Sequence, residues 1–236
     1  KMPIPLAVIC TIVLCSLSGV LIERVAYKPL RDAPRLAVLI TAIGVSFFLQ
    51  NAALLIFSAN PIPFESIIQV KPFIIGNIAI TGTTVVTLIV TIVIMVLLTL
   101  FINRTKAGRA MRAVAEDRAA AQLMGINVNK TISLTFAIGS ALAGIAGILY
   151  LSQYQASLRP SMGGLPGIRA FVAAVIGGIG NVPGAMLGGM LLGIVESFAK
   201  AYISTELADA IVFGILIVVL LVKPSGLLGK QQIEKV

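Results

Sequence analysis

Residues 83–102 read TTVVTLIVTIVIMVLLTLFI, twenty residues without a charge, and Asn103-Arg104-Thr105-Lys106 follows at once. Crossing about 30 Å of hydrocarbon takes roughly 20 apolar residues at about 1.5 Å each, so this stretch has the length of one membrane-spanning helix. Working outward, the same test picks out 4–22, 36–57 and 131–151, and a shorter run at 207–222 with no charge after Asp209. Between 170 and 199 the chain stays apolar for too long to be one span and is broken at Gly180-Asn181-Val182-Pro183-Gly184. Two short segments, 169–180 and 184–199, fit it best. Interrupted backbone is tolerated at membrane depth only where protein surrounds it. The expectation is all-α: one domain over 1–236, a polytopic transmembrane helical bundle of about seven segments, two of them short and flanking the Gly/Pro break.

Composition agrees. Of 236 residues, 58% are hydrophobic and 11% charged, against about 25% charged in a soluble domain. The net charge of +9 forms no single basic stripe, so nucleic acid is not an expected partner; the lipid bilayer is. Arg24, Lys28, Arg31 and Arg35 lie in 23–35, six cations from Arg104 to Lys130 lie in 103–130, and Lys223, Lys230 and Lys235 lie in the tail. Lys/Arg bias places these segments on the cytoplasmic side of a cytoplasmic membrane. Lys1, Lys71, Arg159, Arg169 and Lys200 then fall outside. Spans chosen from apolarity alone alternate so as to give this split, with 58–82, 152–168 and 200–206 external and the C-terminus inside.

Motifs for chemistry are missing. The chain has no His, and Cys10 and Cys15 read as small apolar residues of the first run, since a metal site needs more ligands. Residues 125–131 end like a phosphate loop but lack the second glycine before Lys130. Neither paired carboxylates nor a nucleophile elbow occurs. No catalytic residue, metal or cofactor is expected. The span centres carry no charge, and Glu196 and Asp209 fall towards outer ends, so a proton relay is disfavoured and energy is expected from another subunit.

Polar residues within spans include Ser46, Gln50, Asn51 and Ser140. They read either as interhelical hydrogen-bonding groups or as the lining of a polar path. Small residues recur every four positions in Gly139, Ala143 and Gly147, in Gly180, Gly184 and Gly188, and in Ala185, Gly189 and Gly193, with Gly144 and Gly177 beside them. On helices such sets form stripes that let backbones approach closely, and their density around the broken segment suggests a helix interface at a translocation path.

The segment 103–130 is the most telling. Thr105 or Lys106 can open a helix and Gly125 can end it, and strong helix formers over 109–124 predict one helix there. Ala110, Val114, Ala121 and Met124 share one face of it; Arg109, Arg112 and Glu116 make a charged stripe. A slim, alanine-rich helix suits a partner's groove, whereas lying on headgroups calls for a bulkier apolar face. The candidate docking residues are Arg109, Arg112, Glu116, Asp117, Ala120, Ala121 and Gly125.

With these residues in view the chain resembles the branched-chain amino-acid ABC permease family, in particular its H-type. The matching stretches are Glu23 to Arg31, Gly108 to Asp117, Ala121 to Val128, Ala170 to Gly180, Pro183 to Gly189 and Lys223 to Gly229. The resemblance implies a second, M-type permease, two cytoplasmic ATP-binding subunits and an extracytoplasmic binding protein as partners. It also implies that 109–124 is the coupling helix. Importer permeases generally read E-A-A-x-x-x-G there; here Ala119 stands where the glutamate would be. Family members usually begin with about one further span, so an N-terminally shortened form is expected. Permeases for urea and short amides belong to the same family. A passive channel or membrane scaffold is the reading from another class, and it leaves the 109–124 helix without a use.

Overall fold

A computed structural model of the chain describes residues 3–31, 33–64, 72–75, 78–154, 157–223 and 225–229. Lys1, Lys71, Pro224, Lys230 and Lys235 lie outside the described residues, as do 65–71 of the expected external loop.

All seven expected segments are helices: α1 (Ile4–Ile22), α2 (Arg35–Phe57), α3 (Gly82–Arg104), α6 (Val128–Tyr154), α7 (Gly164–Gly177), α8 (Val182–Tyr202) and α9 (Leu207–Val222). Two short helices, α4 (Lys106–Glu116) and α5 (Arg118–Leu123), lie between α3 and α6. The one departure from all-α among the described residues is a small antiparallel hairpin between α2 and α3. Its strands β1 (Phe73–Ile75) and β2 (Ile78–Ile80) pair with Phe73 opposite Ile80. Among the described residues five helices are long and apolar enough to cross a bilayer, and α7 and α9 are shorter apolar helices. The chain is a multi-pass membrane protein.

Three boundaries differ from expectation. The first helix does not end at Ile22 but continues through a π turn at Glu23–Tyr27 and a 3₁₀ turn at Lys28–Leu30. α6 starts about a turn before 131 because Asn127 caps it there, accepting from the Lys130 N–H at 3.1 Å, and it runs on to Tyr154. The α7–α8 break falls earlier than expected, since α7 ends at Gly177 and α8 begins at Val182, with Pro183 in its first turn where a missing N–H costs nothing.

The helices fall into two compact units, one holding α1, α2, α4–α6 and most of α3, the other holding α7–α9 and the stretch Ile94–Thr99 of α3. In the first, α1 and α6 pack antiparallel. A Cβ on Gly19 would overlap Ser140, and one on Gly144 would lie 3.1 Å from Cys15 Sγ, so both glycines are sites of close helix approach. Tyr27 and Phe136 add a tilted ring pair at 5.2 Å. One end of this unit gathers the end of the first helix, the start of α6 and the α4–α5 segment. The opposite end joins Ile62 to Leu158 through a bridge and Gln153 to Thr84 at 2.9 Å. These are the two sets of segments that charge bias assigns to opposite sides.

In the second unit, α7, α8 and α9 close on Val172, Ala173, Ile176, Leu192 and Val212. A Cβ on Gly184 would overlap the Gly177 carbonyl, and one on Gly188 the Ala173 carbonyl. The chain then returns to cap α7: Leu227 and Leu228 N–H groups donate to the carbonyls of Ile176 (2.8 Å) and Gly177 (3.0 Å). Gly178 makes this possible. Its φ of 108° is open to glycine, and a Cβ would meet the backbone of Gly229.

Candidate functional site

The expected single helix over 109–124 is two helices. α4 opens at Thr105, whose Oγ1 accepts the Gly108 N–H at 3.0 Å and donates to the Phe101 carbonyl at 2.7 Å. Gly108 is buried where a Cβ would overlap Ile102, which pins the segment to the end of α3. Asp117 breaks the run. Its backbone is extended (φ −150°, ψ 116°), and its Oδ1 accepts from the N–H groups of Ala119 (2.8 Å) and Ala120 (3.0 Å). Asp at an N-cap satisfies donors that a continuous helix would satisfy from its own carbonyls, and the two outcomes compete. α5 ends at Gly125, with φ 79° and a bond from its N–H to the Gln122 carbonyl.

The break changes the faces. Val114 and Ala121 are both buried, which withdraws Ala121 from the surface expected to dock, and Met124 is not on their side: it is 82% exposed and Leu123 89%. One extended residue resets the helical phase, so a spacing count taken across Asp117 puts the residues beyond it on the wrong face. Arg109, Glu116 and Ala120 are exposed. Arg112 folds back onto Asn103 at 3.2 Å. The exposed surface of this segment therefore offers Arg109, Glu116, Ala119 and Ala120, with two large apolar side chains at its far end.

Behind it lies a group that the sequence reading missed. Glu23 is fully buried; one carboxylate oxygen pairs with Arg31 and the other accepts from Ser133 Oγ at 2.7 Å. Arg31 also donates to Asn129, and its own carbonyl accepts from Arg118 of α5 at 3.3 Å. The π turn is what aims Glu23 inward: the Lys28 N–H bonds to the Glu23 carbonyl five residues back, which shifts the helical phase. A buried carboxylate is costly unless paired and hydrogen-bonded, and this one is both. Assigning 23–35 to a loop hid it.

A second cluster joins three helices of the other unit. Arg169 on α7 donates to Glu196 of α8 at 2.8 Å and pairs with Asp209 of α9, and Lys200 donates to Glu196 at 2.6 Å. Beside it is a cavity of about 210 Å³ floored by Ala173, Gly189, Leu192 and Val212.

The small-residue stripes survive in part. Gly177, Gly184, Gly188 and Gly144 are points of close approach, whereas Gly139 and Gly147 face open space. Gly180 is not on the stripe of Gly184 and Gly188: it lies in the turn before α8 with φ 88°, because the i, i+4 count ran across the break. Ser140 packs against Gly19. Ser46, Gln50 and Asn51 are on α2, where Gln50 bonds to Ser46 at 3.1 Å and Asn51 to the Phe47 carbonyl at 2.8 Å.

The family described as branched-chain amino acid transport system / permease component matches residues 2–220. Over 230 residues the chain is 46% identical to the Escherichia coli protein LivH, named as a high-affinity branched-chain amino acid transport system permease, covering 95% of this chain and 74% of that one. It is 45% identical over 231 residues to BraD of Pseudomonas aeruginosa, similarly named, covering 96% and 75%. A probable branched-chain amino acid permease of Methanocaldococcus jannaschii is 36% identical over 137 residues, 55% of this chain and 43% of that one. No solved structure matches the chain.

Proposed function

The chain belongs to the branched-chain amino acid transport permease family, and from that membership we propose that it is the H-type permease of an ATP-binding-cassette importer for leucine, isoleucine and valine. The observation that carries the reading is the 46% identity over 95% of the chain to a permease named for those substrates. Its partners in this reading are an M-type permease, two cytoplasmic ATP-binding subunits and an extracytoplasmic binding protein. The α4–α5 segment faces the cytoplasm, as does the C-terminus.

Two features support the assignment of roles. Leu123 and Met124 are almost fully exposed at the end of a polar, slim segment, which fits anchoring in a partner's groove, since such residues carry interface energy when they fill a pocket. Nucleotide hydrolysis then moves the docked segment, and the connection of Gly108 to the end of α3 passes that movement to the membrane helices. The cavity beside Arg169 and Glu196 places both signs of charge over an apolar floor. That combination suits a zwitterion with an aliphatic side chain. At about 210 Å³ it is below the ~300–1,000 Å³ of pockets for drug-sized ligands.

The test is co-expression with the neighbouring gene products, co-purification, and uptake into vesicles with leucine and urea as alternative substrates. ATP-dependent uptake of leucine, lost when the ATP-binding subunits are omitted, is expected. Uptake of urea in place of leucine moves the assignment to the amide-transporting branch; substrate flux without any ATP-binding subunit refutes it.

A further inference from the structure

Between the end of the first helix and the start of α6 lies a cavity of about 480 Å³, walled by Arg24, Lys28, Arg31, Asn129, Lys130 and Ser133. We propose that it binds the phosphate of an anionic phospholipid headgroup.

Charge balance calls for an anion. Four cations surround the cavity, and the carboxylate of Glu23 is buried and already shared between Arg31 and Ser133. Arg24, Lys28 and Lys130 take part in no ion pair among the described residues. Holding like charges around one space costs free energy unless an anion occupies it. Residues 24, 28 and 31 recur along one face of the helical extension, and Lys130 comes from the facing helix. The positive end of the α6 dipole points to the same place. Asn129 gives its carbonyl oxygen to Arg31, which leaves its amide nitrogen as a neutral donor.

Depth selects a lipid as the source of that anion. α1 proper is 19 residues without a charge, about 28 Å long at ~1.5 Å per residue, close to the ~30 Å of the hydrocarbon core. The cations begin immediately after it, at headgroup level. Val20 and Leu134 form the apolar lip on the membrane side, where acyl chains leave. A free phosphate ion would satisfy the same cations but has no use for that lip. Basic pockets between membrane helices take phospholipid headgroups in this way. Because the Arg31 carbonyl accepts from Arg118 of α5, a headgroup there braces the corner on which α5 rests.

The experiment is a binding titration on the full chain in a neutral detergent. The probes are dihexanoyl-phosphatidylglycerol, dihexanoyl-phosphatidylcholine and inorganic phosphate, with native mass spectrometry and thermal protection as readouts. The variant is Arg24→Gln/Lys28→Gln/Lys130→Gln; Arg31 is left intact because it holds Glu23. Arg104→Gln/Lys106→Gln/Lys223→Gln removes equal charge elsewhere. Phosphatidylglycerol is expected to bind the native chain more tightly than phosphatidylcholine, and to weaken by about a hundredfold in the cavity variant at ~1 kcal/mol per cation, with little change in the control. Should the triple variant not fold, Lys130→Gln alone is expected to weaken binding about fivefold. Phosphate binding as tightly as phosphatidylglycerol, lost in the same variant, upholds the anion site with a soluble source. Equal binding of the two lipids, or equal loss in the control, overturns the proposal.

Discussion

Removing the Glu23 carboxylate tests whether the buried Glu23–Arg31 pair, which reaches α6 through Ser133 and Asn129, locks the first helix to α6. In Glu23→Leu the side chain keeps its bulk, while Arg31, 16% exposed, loses its counter-charge and Ser133 loses its acceptor. Breaking a buried pair from one side costs about 3–5 kcal/mol because the remaining charge is left uncompensated. Arg31 keeps Asn129 and some access to water, so the lower end applies: about 3 kcal/mol, roughly a hundredfold in the unfolding equilibrium. The double variant Glu23→Leu/Arg31→Leu removes both charges and should recover most of the loss, since an apolar pair of similar volume is often neutral. A coupling of about 2 kcal/mol or more between the two sites is therefore expected from the double-mutant cycle. Denaturant-induced unfolding in mixed micelles supplies the free energies. Maleimide labelling of Cys15, in a Cys10→Ser background, reports locally, because Cys15 packs on Gly144 at the same helix pair. Its labelling should quicken in the single variant and return in the double. If Glu23→Leu unfolds like the native chain and Cys15 stays protected, the pair does not lock these helices and the reasoning fails.

Gly184→Ala should destabilise the chain by about 1–3 kcal/mol, since its Cβ would overlap the Gly177 carbonyl and neither backbone can give. Gly147→Ala, facing open space on α6, should be neutral or gain about 0.5–1 kcal/mol from helix propensity; thermal unfolding of the two side by side checks the assignment, and equal losses would refute it. Asp117→Ala removes the α5 cap, at about 1 kcal/mol, and lets 106–124 run as one helix that turns Leu123 and Met124 away. ATP-driven uptake should fall severalfold while the protein stays in the membrane, with hydrogen exchange showing new protection at 117–120; unchanged uptake would show that the break has no part in docking.

The spans were legible because hydrocarbon thickness alone sets their length, and a run such as 83–102 has no other use in a small protein. The features that were not legible share a cause. Spacing rules assume an unbroken helix, and this chain departs from one at three points. Asp117 reads equally as a surface charge and as a cap, and choosing the first put Met124 on the wrong face. The break after Gly177 separates Gly180 from Gly184, so a repeat of four in sequence is not a stripe in space. The π turn at Glu23 adds a residue to the turn, and a boundary drawn at the last apolar residue placed a buried carboxylate in a loop. Arg169, Glu196 and Asp209 come from three helices, and nothing local in sequence couples them. Which glycines are partnered is equally non-local: Gly139, Gly144 and Gly147 lie on one helix, yet only Gly144 meets α1.

Two of these departures, at Glu23 and at Asp117, lie at the end of the first unit where docking is proposed, and that grouping has a mechanical consequence. The α4–α5 segment is held by Gly108 against the end of α3, by Arg112 to Asn103, and by Arg118 to the carbonyl of Arg31. The first two anchors lead into α3. The third leads to Arg31, hence to Glu23 and through Ser133 to α6. A force applied at Leu123 and Met124 is thus divided between one helix reached through backbone contact and a helix pair reached through an ion pair. Backbone contact at Gly108 cannot slide without overlap, whereas the single bond from Arg118, on the exposed side of the segment, can break and re-form. The arrangement lets α5 move against α1 and α6 while α4 stays registered to α3. Movement of the docked segment should therefore reach the membrane first through α3, with Glu23 keeping the α1–α6 pair intact as it passes.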